Sequence, residues 1–504
     1  MRVDGYQKII DLCRKLGAEH QLYFIARIQS KKELSVHINN GKTEEISTGS
    51  LEGIGIQVFN PRGYMGFAAG DQVTEEIVTD LFAKAALLSE QGELYQSEPN
   101  QEIFKVSPLE KRIEIPLKYP YGSLDLTAIE TKLKDLNRQL LAQSPQLAVR
   151  TFFRLTDEEW RIIRTDGTDV IFTTPRSFIF HSITAKSAAG AAISATGIAS
   201  NAATTSTNLP GSDLGIIIEP ASLERLQARA KKAANLALNL LDAPQIASGH
   251  YKLVIDYGLA KGLGHEAFGH AAETDNLESS ILGEGGRFKK GMSVASTKLS
   301  IIDGPVVGDY AYQPVSAVGI ERKTVPIVEH GILQNGLSDV FSAARAGVTL
   351  TGAERVESVF QLPIARMSNI RIQFEDPIPV DQDFESITAA DLYQILLRNQ
   401  LMKPDETVLY LTGFQGGQVN PAFGDFVFQC SGIYRLAEVP ILYKPAIFSG
   451  KILSVLKSVS QAIGPLQFDA MGTCGKMGQS VPSCGGSHYF LIIDQNPEVF
   501  IGGE

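Results

Sequence analysis

The segment His265-Glu266-Ala-Phe-Gly269-His270-Ala-Ala-Glu273-Thr-Asp275 places two imidazoles and three carboxylates within eleven residues. Neutral imidazoles bind divalent transition metals, and a carboxylate beside them can take a proton from water. In the common zinc helix His-Glu-x-x-His, the histidines at i and i+4 stand on one face. Here the spacing is i and i+5. A regular helix separates such positions by roughly 140° around its axis, so the two rings point apart. The spacing therefore predicts a helix that is irregular over 264–272, either widened by a bulge or broken before the second histidine. Gly269, just before His270, supplies backbone freedom there.

A catalytic zinc commonly takes three protein ligands and keeps one position open. Glu273, Asp275, a distant carboxylate or a cysteine are candidates for the third. Cys474 is the strongest, in Met471-Gly-Thr-Cys474-Gly-Lys-Met-Gly. Its flanking glycines let the backbone approach closely, and a metal-bound thiol is deprotonated. Cys484, ten residues on, is its rival. Cys13 falls on the apolar face of a helix and Cys430 alternates with Phe426 and Phe428, so both read as core. With Glu266 as general base, the chemistry is amide hydrolysis by an activated water. Glu273 or Asp275 can orient an imidazole from behind.

These residues need a scaffold, and the apolar pattern outlines one. Ile9, Ile10, Leu12, Cys13 and Leu16 give a helix over 4–17 closed by Gly17. Strand-like stretches follow at 21–29, 33–39 and 54–59, with Asn40-Gly41 as a turn signal, and then a helix at 73–91. A second unit has a helix at 126–143, strands at 147–156, 158–165 and 169–182, and a long helix at 220–241 opened by Pro220. The small-residue run 187–207 reads as a loop rather than a flat strand. Past 246 the chain is a series of short apolar runs with glycines and prolines, starting with a strand at 250–256. The fold class is α+β. N-terminal α+β subdomains with antiparallel strands, at 1–118 and 119–245, precede a mostly β C-terminal domain, 246–504, which carries the irregular zinc-binding helix.

Composition narrows the setting. The chain has 504 residues, 44% hydrophobic and 20% charged, which is ordinary globular usage. A formal net charge of -10 argues against a nucleic-acid surface, which needs excess cations. Four cysteines are too few for a disulfide framework and fit a reducing compartment. The N-terminal residues lack the apolar core of a secretory signal, and the run 187–205 is too poor in large apolar groups to span a bilayer. The expectation is a cytoplasmic protein without direct membrane or nucleic-acid contact.

Four separate blocks resemble the TldD/PmbA family, its TldD-type member in particular. HEAFGHAAETD is similar to that family's His-Glu-x-x-x-His zinc motif with trailing acidic positions. Arg366-Met367-Ser368-Asn369 is similar to its Arg-Met-Thr-Asn signature. Gly416-Gly417-Gln418-Val419 and Cys474-Gly475-Lys476-x-Gly478-Gln479 match two further blocks in order and spacing. The resemblance covers roughly 260 to the end and implies a zinc metallopeptidase. His265, His270 and Cys474 would then be ligands of Zn2+ and Glu266 the base. It also implies unfolded peptide substrates, a shared cavity in a homodimer or a heterodimer with a PmbA/TldE-like paralogue, and an older label as a modulator of DNA gyrase. The sequence departs from the family at Ser316-Ala317-Val318-Gly319, where many members carry an acidic run. The competing readings are a catalytically silent assembly subunit, which generally lacks the zinc motif, and a regulator of a topoisomerase.

Overall fold

The computed structural model describes residues 3–95, 98–187 and 202–502. Two large sheets, each with helices packed on it, make the molecule an α+β fold with a mostly strand C-terminal region.

The first sheet is built from β1 (Tyr23–Asn39), β2 (Lys42–Phe59), β3 (Met65–Gly70), β4 (Glu110–Ile113), β5 (Leu147–Arg164), β6 (Asp169–Thr173), β7 (Arg176–Lys186) and β8 (Ala202–Gly211). Its order is β3-β2-β1-β5-β6-β4, with β7 pairing β5 and β8. All pairs are antiparallel except β4 with β6. The strands of 1–118 and of 119–245 thus share one sheet, joined by β1 and β5 from Ile25↔Arg164 to Asn39↔Arg150.

Period-2 alternation decides its two faces. Phe24, Ala26 and Ile28 pack with Ile54, Ile56 and Val58 under the helices α1 (Gln7–His20) and α2 (Glu75–Leu94). Leu34, Val36, Phe153 and Leu155 continue that face under α3 (Leu126–Leu141). The opposite face carries Arg27, Gln29, Glu158 and Arg176, all buried. β1 and β5 run unbroken where residues 30–32 and 157 suggested interruptions. Glu158 is held inside by Arg176 at 2.6 Å, Gln29 at 2.6 Å and Thr174 at 2.8 Å, so a charged residue in mid-strand marks a buried polar face here. Conversely, the strand expected over 169–182 breaks at Thr174-Pro175. Of the loop expected over 187–207, residues 188–201 lie outside the described residues, and from Ala202 the chain is strand β8. Its small polar residues pair across to β7, and Thr205 reaches the Ala233 carbonyl at 2.8 Å.

The helix Pro220–Asn239 leads to the second sheet, whose middle positions the site. There the order is Asn369–Phe374, Gln479–Ile493, β9 (Lys252–Asp256), Val408–Asn420. Strand Gln479–Ile493 also forms a long hairpin with Val459–Lys476.

One buried carboxylate outside the site sets a pH dependence. Glu354 is fully buried; its Oε1 accepts the Val340 N–H at 2.6 Å while Oε2 has no partner. Burial, then the charge of Asp339, pushes its carboxyl up from 4.5 to about 7. A raised folded-state pKa stabilises most below 4.5, and that contribution is lost as pH rises through 7. In Glu354→Gln the loss disappears while Oε1 can still accept. The variant's stability relative to the parent should rise by about 3 kcal/mol between pH 4.5 and pH 8, read as a growing difference in Tm. A constant difference would show that Glu354 does not titrate in this way.

Candidate metal centre

β9 ends at Asp256, which caps the helix Tyr257–Gly262. Its Oδ1 accepts the Leu259 N–H at 2.9 Å, and Oδ2 accepts the Gly413 N–H at 2.8 Å and the Thr412 hydroxyl at 2.9 Å. This fixes the helix to the end of the sheet. The helix then widens: Leu263–Gly269 is π-helical and His270–Ala272 is a 3-10 turn. The His270 N–H bonds to the His265 carbonyl, so one i to i+5 turn separates the histidines and both rings fall on the same side. Their centroids lie 5.2 Å apart and nearly perpendicular, at 86°. The i, i+5 spacing is thus absorbed by the backbone itself.

Gly269 serves this turn by its size and not by conformational freedom. Its φ is −62°, ordinary for a helix. A Cβ there would stand 2.0 Å from Met367 Sδ, 2.9 Å from Ile370 Cδ1 and 3.0 Å from the Gly264 carbonyl. Gly269→Ala should lower stability by about 1–3 kcal/mol, and Met367→Ala in the same chain should return part of it by opening space. A Tm equal to the parent's for the single variant would refute the packing argument.

The thiol arrives from the second sheet. The hairpin turn at Met477 and Gly478, both with positive φ, sets Lys476 opposite Gln479 and Cys474 opposite Val481. Cys474 Sγ stands 3.3 Å from His270 Nε2. One donor atom from each of His265, His270 and Cys474 lies within 4.8 Å of the others. His265 Nδ1 is held by Ser483 Oγ at 3.0 Å and His270 Nδ1 by Glu273 Oε2 at 3.1 Å. That leaves His265 Nε2 buried without a hydrogen-bond partner. Two nitrogens, one of them an orphaned imidazole nitrogen, and one sulfur fit a zinc-like ion.

The surroundings favour charge. Burial alone would disfavour the Cys474 thiolate, but the adjacent His265 and His270 rings bring the thiol down to about 5. Burial likewise opposes the His270 imidazolium, and Glu273 with Cys474 overrides it, raising the ring to about 10. Glu273 is fully buried, yet His270 and Lys476 hold its carboxyl down at about 2. Lys476 Nζ joins Glu273 Oε2 at 2.9 Å to Asp275 Oδ1 at 2.7 Å. Arg366 donates from Nη2 to the Cys474 carbonyl. Glu266 is the most open member of the set, one-third exposed, with Oε2 3.8 Å from His270 Nε2.

Of the residues singled out in the sequence, His265, Glu266, His270 and Cys474 come together. Glu273 stands behind His270, whereas Asp275 meets Lys476. Cys484 turns away and donates to Asp309 Oδ1 at 2.6 Å. Ser483, Lys476 and Arg366 were given no role from sequence. The last two sit inside the matching blocks, which was the available signal; Ser483 carried none.

A sequence model of the PmbA/TldA metallopeptidase C-terminal domain matches residues 248–484, and one of the PmbA/TldA metallopeptidase domain 1 matches 26–89. A metalloprotease of Methanocaldococcus jannaschii is 28% identical, over 91% of this chain and 93% of its own length. A Haemophilus influenzae protein named metalloprotease TldD homolog is 31% identical, over 54% of this chain and 52% of its own length, so that match spans about half of either protein. The crystal structure of TldE from Thermococcus kodakarensis superposes with a TM-score of 0.71 at 14% identity, covering 98% of this chain and 100% of that one, which shows a shared fold. No helix among the described residues is long and apolar enough to cross a membrane. The chain belongs to the TldD/PmbA family of metallopeptidases.

Proposed function

We propose that the chain is a zinc-dependent peptidase of unfolded or extended peptides, with His265, His270 and Cys474 holding the metal and Glu266 acting as general base. The carrying observation is the meeting of three donor atoms from segments 204 residues apart, one of them a buried imidazole nitrogen with no other partner. When bound, zinc supplies Lewis acidity, which polarises a scissile carbonyl and acidifies water.

The chain's own residues supply the rest. Ser483 and Glu273 engage the two Nδ1 atoms and so present both Nε2 atoms inward. Lys476 holds the Glu273 carboxylate and ties the cysteine hairpin to the histidine segment. Glu266 accepts the proton of the attacking water and returns it to the leaving amine, a task its solvent access suits. An extended peptide has an edge available. Among the described residues, strand Val408–Asn420 beyond Gly413 pairs on one side only, with Asp425–Arg435, because its pairing to β9 ends at Leu411 and the Gly413 N–H goes to Asp256. Strand addition there recognises main chain and tolerates varied side chains. The family resemblance implies that the chain pairs with itself or with a TldE-like paralogue.

The test is elemental analysis with a cleavage assay. Purified protein should hold near one zinc per chain and cleave an unfolded peptide, and His265→Ala should lose both. A chain that holds no zinc and cleaves no peptide, with no further change in His265→Ala, would favour the silent assembly subunit instead.

A further inference from the structure

A second polar site lies on the far side of the cysteine hairpin. Between the buried polar face of the first sheet and the segment around Glu354–Arg355 there is a cleft of about 800 Å3 including its mouth. Its walls include Thr473 and Pro482, whose alternation in the hairpin sets them on the face opposite Cys474 and Val481. The cleft is therefore one residue removed from the proposed metal ligand.

Its lining is unbalanced in charge. Lys31, Arg154, Arg176 and Arg355 face Glu33, Glu158 and Glu357, an excess of one cation. The carboxylates are already engaged: Glu158 by Arg176, Gln29 and Thr174, Glu33 by Lys31 at 2.9 Å, and Glu357 by the Ser480 N–H at 2.7 Å. Arg355 is the uncompensated cation. It is 1% exposed, and its hydrogen bonds go only to neutral groups: Gln313 Oε1 at 2.9 Å and the carbonyls of Met367 and Pro482 at 2.6 and 2.7 Å. Arg176, nine-tenths buried, keeps Nε without a hydrogen bond, and Arg154 Nε has only a 3.8 Å ion pair with Glu33. Burial and the neighbouring cations Arg322, Arg176 and Arg366 press against the Arg355 charge, and the carboxylate of Asp303 offsets them only in part. A buried guanidinium in that state is stabilised by an anion brought against its remaining Nη2 donor. A monoanion neutralises the excess, whereas a phosphate dianion would overshoot it.

We propose that this cleft is a carboxylate-binding subsite, in which the C-terminal carboxylate of a peptide or an Asp or Glu side chain seats against Arg355, Arg176 and Arg154. The choice of a peptide as ligand rests on the peptidase reading. The site would give the enzyme a preference among unfolded chains that main-chain pairing alone does not provide.

Binding is measured by calorimetry on full-length Glu266→Gln chain, so that turnover does not interfere. The probes are three forms of one N-acetylated flexible heptapeptide: the free acid, the C-terminal amide, and the amide with a single Asp. One or both anionic forms should bind about 10-fold tighter than the neutral amide. A tight free acid assigns the terminus, and a tight Asp form assigns a side chain. The preference should vanish in Arg355→Gln and shrink in Arg154→Gln, a half-exposed position that keeps the test alive if the buried variant does not fold. Equal affinity of all three probes, binding of none, or a preference untouched in Arg154→Gln overturns the subsite. Parent enzyme that cleaves acid and amide peptides equally would leave the peptidase reading standing. Charge discrimination by Glu266→Gln with no cleavage by the parent would do the reverse.

Discussion

Glu266→Gln should abolish peptide cleavage, by about 10²- to 10⁴-fold in kcat, while keeping the metal content of the parent. The glutamine is of the same length and cannot take a proton. Glu266 lies outside the group of three converging donor atoms, so its replacement leaves them in place. It also makes no hydrogen bond on which the π-helical turn depends; that turn is closed by the His270 N–H and the His265 carbonyl. The measurement pairs elemental analysis with steady-state cleavage of an unfolded peptide. A variant that turns over at the parent rate removes Glu266 from the mechanism. A variant that loses zinc assigns Glu266 a place among the ligands.

Cys474→Ala should cost the protein its zinc, weakening affinity by at least about 10³-fold, because one of three ligands carries several kcal/mol of a structural-scale binding energy. The alanine fills part of the same buried space, so the sheet is retained and circular dichroism should be unchanged. Cys484→Ala is the matched control. Its thiol donates to Asp309, and burial and that carboxylate both push it well above the usual thiol range. Cobalt substitution separates the two further, since a thiolate ligand adds a charge-transfer absorption that Cys474→Ala must lose and Cys484→Ala must keep. The reverse pattern would make Cys484 the ligand.

Local spacing told more about the site than about its supports. The i, i+5 histidines required an irregular helix, and that argument needs only the pitch of a helix. Cys474 stood out by its glycines. Nothing local distinguishes Ser483, which meets His265 across 218 residues of chain. Nor does composition reveal that Lys476 meets both Glu273 and Asp275 while Glu273 alone of the two reaches an imidazole; that is decided by where the hairpin lays Lys476. In the first sheet the apolar alternation of β1 and β5 was legible, but their continuity was not. A residue such as Lys31 resembles a loop residue until the polar wall opposite it is known. The role of Gly269 was misattributed for a similar reason: a sequence shows that a side chain is absent, not what occupies its place.

The position of strand Gln479–Ile493 has a consequence for how the protein is made. It lies between β9 and Asn369–Phe374, so the second sheet is two separate ribbons until it inserts. A ribosome releases both histidines and, apart from the edge strand Val499–Gly502, both ribbons before this strand, and its pairing to β9 spans more than two hundred residues. Such long-range closure is slow compared with local structure formation. Nascent chains would thus carry the imidazoles and Glu266 without the sulfur or the serine that aligns them. Hydrolytic competence then becomes a property of the finished fold, withheld throughout synthesis.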